Sequence, residues 1–225
     1  MTATENRRKL LIKVCGFTEP DQLRQAGAIG IDLAGVLLWP GSERAVTTEQ
    51  AHQLSAAASA CEVGLVGVFV DEPTDILTRS YRELNLTIAQ LHGDERPVDV
   101  EQLAREGLRV WKSLKMSPGF HPDQVRAFWE AGAEAVLLDA WHPHLQGGTG
   151  QQVDWQVAAR LAAQGPLILA GGLSADNAER AVEMVRPMGL DASSALERIP
   201  GHKDMDLVKG YVDAARRGLE ASRNN

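Results

Sequence analysis

Cysteine is scarce in this 225-residue chain, which holds only Cys15 and Cys61. Two thiols cannot build a disulfide framework, and no Cys-x-x-Cys spacing joins them, so a redox pair is disfavoured and a reducing compartment is expected. Basic charge is short as well: 23 lysines and arginines stand against 30 acidic residues, for a net charge of -7. That balance argues against a nucleic-acid footprint, which needs a clustered basic surface, and an anionic small molecule needs a local site instead. No run of 18 apolar residues occurs, and residues 1–9, with Glu5, Arg7, Arg8 and Lys9, lack the apolar core of a signal peptide. A cytoplasmic protein with no membrane partner and a short flexible N-terminal tail is expected. Internal repeats, low-complexity tracts and domain linkers are absent too.

What is present is a regular alternation of short apolar β-type runs with helical patterns, the signature of a parallel sheet built from βα units. The strands are expected at Leu10–Val14, Ile31–Trp39, Val63–Val70, Leu86–Leu91, Arg109–Leu114, Ala135–Leu138, Leu167–Ala170 and Leu190–Ser193. Helices follow each, with Thr18 and Asp21 resembling a capping box, Thr48 and Ser174 as further caps, and a last helix over Asp204–Arg217. Eight such units in a little over two hundred residues predict a single-domain (β/α)8 TIM barrel with a parallel eight-stranded sheet, its active site at the C-terminal strand ends. A doubly wound open sheet is the rival. It calls for a glycine-rich dinucleotide turn after the first strand, and Cys15-Gly16-Phe17-Thr18 is not one.

In a barrel, the residues that follow the strands converge on one rim. Here they are Cys15, Pro40 to Arg44, Asp71, Gln90 with His92, Lys112, Asp139, Gly171-Gly172 and Ser193-Ser194. The last two groups put small residues just before expected helix starts, where backbone N–H groups can approach a phosphate. Ordinary helix capping is the plainer reading of the same residues. The loop from Asp139 to Gly150 carries an acid at its root and Gly147, Gly148 and Gly150 near its end, a composition suited to a lid. His142 and His144 lie in it, but no acidic or cysteine cluster completes a metal-ligand set.

Taken together, several segments resemble the phosphoribosylanthranilate isomerase family, in the family's order and from about Lys13 to Arg216. They are Lys13-Val-Cys-Gly16, Trp39-Pro40 with Ser42 and Arg44, Val66-Gly-Val-Phe-Val70, Gln90-Leu-His-Gly93-Asp-Glu95, Leu138-Asp139 with Gly147-Gly-Thr-Gly150, Asp154-Trp155, Leu169-Ala-Gly-Gly-Leu173, and Pro200-Gly201 with Lys203-Asp204. The resemblance implies a cofactor-free, metal-free Amadori rearrangement of a phosphorylated aminosugar by a monomer or homodimer. It implies Asp139 as general acid and Cys15 as general base, with Arg44 meeting the anthranilate carboxylate. Gln90, His92 and Gly148 are implied at the substrate, and Gly171, Gly172, Ser193, Ser194 and Ala195 at the phosphate.

Each catalytic role makes a demand. The Asp139 carboxyl must keep a proton well above its ordinary pKa of about 3.9, and the Cys15 thiol, ordinarily near 8.5, must reach the thiolate. Lys13 shares a face with Cys15 and either assists it or pairs with a barrel carboxylate. One departure from the family pattern matters: Ala195 stands where relatives carry glycine, harmless if its backbone is helical and costly if φ is positive. A related sugar-isomerising barrel of histidine biosynthesis has an aspartate in place of Cys15. A non-catalytic phosphosugar-binding barrel is the alternative from another class.

Overall fold

The computed structural model of the chain describes residues 9–140 and 154–224. Residues 1–8 of the expected N-terminal tail, and the loop residues His142, His144 and Gly148, lie outside the described residues. Eight parallel strands close into a barrel in sequence order: β1 (Leu11–Cys15), β2 (Leu33–Leu37), β3 (Gly64–Phe69), β4 (Ile88–Leu91), β5 (Val110–Lys115), β6 (Ala135–Asp139), β7 (Leu167–Leu169) and β8 (Gly189–Ala192). β8 pairs back onto β1, from Leu11 opposite Gly189 to Val14 opposite Ala192. The helices are α1 (Pro20–Ile29), α2 (Thr48–Ala60), α3 (Thr74–Glu83), α4 (Pro97–Arg105), α5 (Pro122–Glu130), α6 (Trp155–Ala162), α7 (Ala178–Val185) and α8 (Met205–Asn224). This is the (β/α)8 barrel that the alternation predicts, including β5, the least apolar of the eight expected strands.

The strands are apolar on both faces because both are covered. Inward residues such as Leu33, Val66, Ile88, Trp111, Leu137 and Ile168 form a cluster in the lumen. Outward residues such as Val14, Val36, Leu65, Val110, Leu138 and Leu190 pack under the helices in a larger one. Paired residues on neighbouring parallel strands share a face, and so do residues two apart. Lys13 pairs with Leu33 and Asp191, Cys15 with Gly35, Gln90 with Trp111, and Asp139 lies two residues beyond Leu137. Lys13, Cys15, Gln90, Asp139 and Asp191 therefore all point inward, with Cys15 and Asp139 at the C-terminal ends of their strands and Lys13 level with Asp191.

Several local expectations are corrected. Thr18 does not cap α1; its hydroxyl donates to the Gly201 carbonyl at 2.7 Å, and Glu19 takes the N-cap position without a side-chain bond to the helix backbone. Pro20, with φ already set for a helix, starts α1 in its place. The cap of α2 is Thr47 rather than Thr48, in reciprocal exchange with Gln50. α7 starts at Ala178, four residues after Ser174, because the Ser174 hydroxyl and the Asn177 amide first close a turn on each other's neighbourhood. β2 starts at Leu33 rather than Ile31, and just before it the Asp32 carboxylate accepts from the Ile12 N–H and pairs with Lys9. The largest correction follows β8: no helix begins at Ser193-Ser194. A single 3₁₀ turn (Ser194–Leu196) leads into a hairpin of β9 (Glu197–Ile199) and β10 (His202–Lys203), and α8 begins only after it and runs on beyond Arg217. Among the described residues, no helix is long and apolar enough to cross a membrane.

Candidate active site

Cys15 ends β1 and is buried. Its sulfur occupies space that only a glycine on the next strand leaves open: a Cβ on Gly35 would lie 2.5 Å from Sγ. Beneath it, the Lys13 Nζ donates to Asp191 Oδ2 at 2.8 Å inside the barrel. Burial opposes the charge on Lys13, but the Asp191 carboxylate and the Cys15 sulfur outweigh it and raise the lysine's pKa. For Cys15 the balance falls the other way. Burial pushes the thiol up, against the pull of Lys13 and Lys203. Lys13 thus does both things its position allowed, pairing with a carboxylate and acting on the thiol. Lys13→Met, which strands Asp191 as a buried unpaired charge, is expected to cost about 3–5 kcal/mol of stability, read as a lower urea midpoint with an unchanged slope.

Asp139 ends β6 with its carboxyl turned to the same interior. Burial, reinforced by the Asp191 charge, pushes it up to about 6, against the Ala140 N–H, Lys115 and Lys13. Asp139 and Cys15 share the interior that holds the Lys13–Asp191 pair, and both respond to its charges. His92 brings Nε2 to 3.7 Å from Asp139 Oδ2. Burial and then the Lys115, Lys13 and Lys112 charges drive the His92 pKa down to about 3, so the ring is neutral. The Gln90 amide nitrogen lies 3.1 Å from His92 Nδ1. As a donor there it leaves the ring's proton on Nε2, facing Asp139. Gln90 itself is buried, and its Oε1 has no partner among the described residues.

Arg44, in the loop after β2, is held by Glu197 of β9. Nε lies 3.0 Å from each carboxylate oxygen and Nη2 lies 2.7 Å from Oε2. Lys203 of β10 reaches Glu197 Oε1 at 2.6 Å and the Ser193 carbonyl at 3.3 Å. The Ser193 hydroxyl donates to the Cys15 carbonyl at 2.9 Å, tying β8 to the end of β1. Ser194 and Ala195 form the 3₁₀ turn. Gly171 and Gly172 after β7 both hold positive φ, +83° and +71°, a bend that keeps their N–H groups free of a helix.

Two other rim residues stand apart. Lys112 points outward, paired with Glu95 at 2.8 Å and bonded to the Gly93 carbonyl, and Asp71 accepts the Asp94 N–H. Both brace the loop after β4. Sequence reasoning missed Glu197 as the partner shared by Arg44 and Lys203, and it named Asp191 only within a motif. Asp191 had a readable signal: Lys13 and Asp191 are lone charges in two otherwise apolar strands, and such charges must find each other. Among the described residues, no group of three or more His, Cys, Asp or Glu is placed to hold a metal ion.

A family model described as N-(5'phosphoribosyl)anthranilate (PRA) isomerase matches residues 12–214. The chain belongs to this family. Its activity is accordingly the isomerisation of N-(5'-phosphoribosyl)anthranilate in tryptophan biosynthesis. The N-(5'-phosphoribosyl)anthranilate isomerase of Rubrobacter xylanophilus is 38% identical over 205 residues, covering 91% of this chain and 98% of that relative. The crystal structure of phosphoribosyl anthranilate isomerase from Thermotoga maritima superposes with a TM-score of 0.83 at 31% identity, covering 92% of this chain and 99% of that one. A phosphoribosyl anthranilate isomerase in complex with reduced 1-(o-carboxyphenylamino)-1-deoxyribulose 5-phosphate has a TM-score of 0.79 at 29% identity, with coverages of 92% and 99%.

Proposed function

We propose that Asp139 and Cys15 are the acid and base that carry this rearrangement, with Arg44, Gln90 and His92 at the substrate. Protonated Asp139 gives its proton to the furanose ring oxygen. The anthranilate nitrogen lone pair forms the C1'=N bond as the C1'–O bond breaks, which opens the ring to a Schiff base. The Cys15 thiolate then takes the C2' proton, and the electron pair moves back to nitrogen to give an enolamine. Its tautomerisation, with a proton delivered to C1', yields 1-(2-carboxyphenylamino)-1-deoxyribulose 5-phosphate. The observation that carries this assignment is that a carboxyl raised to about 6 and a buried thiol stand at the inner ends of β6 and β1 around the same Lys13–Asp191 pair. Neutral His92, with its Nε2–H toward Asp139, suits a hydrogen-bond donor to a group that gains negative charge. Growth of a tryptophan auxotroph lacking this step tests the reading. Rescue by the wild-type chain and failure of both the Cys15 and the Asp139 variants is expected, and rescue by either variant contradicts its role.

The phosphate is assigned to Gly171, Gly172, Ser193, Ser194 and Ala195, where the loops after β7 and β8 meet, the usual phosphate position of this fold. The donors there are backbone N–H groups of a glycine bend and a 3₁₀ turn, not a full helix N-terminus. Ala195 lies within the 3₁₀ turn, and among the described residues the non-glycine residues at positive φ are Glu62, Asp71, Asn85 and Arg186. The methyl group therefore costs no backbone strain. Ala195→Gly is expected to leave KM within about twofold, whereas a tenfold lower KM would show that the alanine harms phosphate binding. The whole chain is read as one barrel working in the cytoplasm on a small phosphorylated substrate.

A further inference from the structure

A guanidinium has five N–H bonds in one plane and two edges that can each grip a carboxylate with parallel bonds: Nε with Nη2, and Nη1 with Nη2. In this chain the first edge of Arg44 is already taken. Glu197 accepts from Nε and Nη2, and Nη1 has no hydrogen bond among the described residues. Glu197 is itself locked. Its side chain is 3% exposed, and Oε1 also accepts from Lys203 Nζ at 2.6 Å and from the Gly201 N–H at 3.3 Å. Lys203 is fully buried, so the carboxylate is not shared with solvent.

The cluster adjoins the thiol. A Cβ on Gly16, the residue after Cys15, would lie 2.7 Å from Arg44 Cδ, 3.2 Å from Ser193 Oγ and 3.4 Å from Glu197 Oε1. Arg44, Lys203 and Glu197 together carry two positive charges and one negative. One positive charge is left over, and it resides on a guanidinium whose plane Glu197 has set.

We propose that Glu197, carried by the β9–β10 hairpin, is the positioning residue of the carboxylate subsite: it holds one edge of Arg44 so that the other is preset for the anthranilate carboxylate. The inference rests on the assignment of Arg44 to that carboxylate. It adds a reason for the hairpin between β8 and α8, whose two strands contribute Glu197 and Lys203 and little apolar surface. Presetting the plane removes the cost of ordering a flexible arginine when the ligand arrives. The same contact selects for a carboxylate in the ortho substituent, since an uncharged ring leaves the open edge unpaired.

The test measures binding of the reduced product, reduced 1-(o-carboxyphenylamino)-1-deoxyribulose 5-phosphate, and of the same compound lacking the carboxyl group, by calorimetry. For Glu197→Gln, whose amide N–H groups oppose those of arginine, a loss of tenfold or more is expected for the carboxylated ligand and less than twofold for the other. Arg44→Ala should show the same pattern, and the double variant should bind no more weakly than Arg44→Ala alone. Equal weakening of both ligands by Glu197→Gln, or additive losses in the double variant, would overturn the inference and reduce Glu197 to a scaffold for the loop. Should Arg44→Ala bind the carboxylated ligand normally, the assignment of Arg44 falls; should it fail while Glu197→Gln binds normally, only the role of Glu197 falls. Arg44→Lys keeps Glu197 in place and guards against a variant that does not fold. Its ammonium has no second edge, so a tenfold loss is expected, and wild-type affinity would show that a point charge suffices.

Discussion

Cys15→Ser is expected to lower kcat by about two to three orders of magnitude, the usual scale for the loss of a general base. The physical reason is acidity. A thiol buried against Gly35 is already pushed up by burial, and Lys13 and Lys203 pull it back. A serine hydroxyl starts several pKa units higher, and the same two ammonium groups cannot bring it to the alkoxide. Folding should survive, because the replaced atom is one sulfur in a slot that the Gly35 backbone, not the thiol, defines. The measurement is the decay of substrate fluorescence under saturating conditions, with thermal unfolding as the control. Turnover within a few-fold of wild type would contradict the assignment of the base.

Asp139→Asn is expected to have an effect of similar size, with a pH signature that Cys15→Ser lacks. The carboxyl titrates at about 6 while the thiol is raised, so the acid of the pair has the lower pKa of the two. The productive form, with Asp139 protonated and Cys15 ionised, is then a minority species at every pH. Its population rises with pH below about 6, stays flat between the two pKa values, and falls above that of the thiol. A bell-shaped kcat/KM results, with its acid limb near 6. The substrate's own phosphate titrates in the same region, at about 6. Asparagine cannot titrate, so whatever part of the limb belongs to Asp139 should vanish from the residual activity of the variant. An acid limb of unchanged shape in Asp139→Asn would assign it to the phosphate and leave Asp139 without its role.

The barrel itself was legible because its cause is repetitive: eight apolar runs at short spacing, each covered on both faces, leave few alternatives. Cys15, Arg44, Gln90, His92 and Asp139 were legible as strand-end residues, and the structure brings them to one mouth. What could not be read were partners set by closure of the chain. Arg44 and Glu197 are 153 residues apart, and the segment that unites them, Glu197–Lys203, is too short and polar to show a strand pattern. Thr18 fitted a helix cap by spacing and was taken instead by the Gly201 carbonyl, a competitor that arrives from the far end of the chain. The protonation demands were a different matter. Chemistry required a raised carboxyl, but burial and the Asp191 charge that raise it become visible only once β6 and β8 share an interior.

The proposed roles have the thiol and the carboxyl move protons on one sugar from two strands of one barrel, and a crystal structure of the chain with the reduced product bound tests that most directly. Cys15 Sγ is expected within about 3.5 Å of C2', and an Asp139 oxygen within about 3 Å of the oxygen that closes the furanose ring. A ligand bound with its phosphate at Gly172 and Ser194, but with either group turned away from those atoms, would contradict the account.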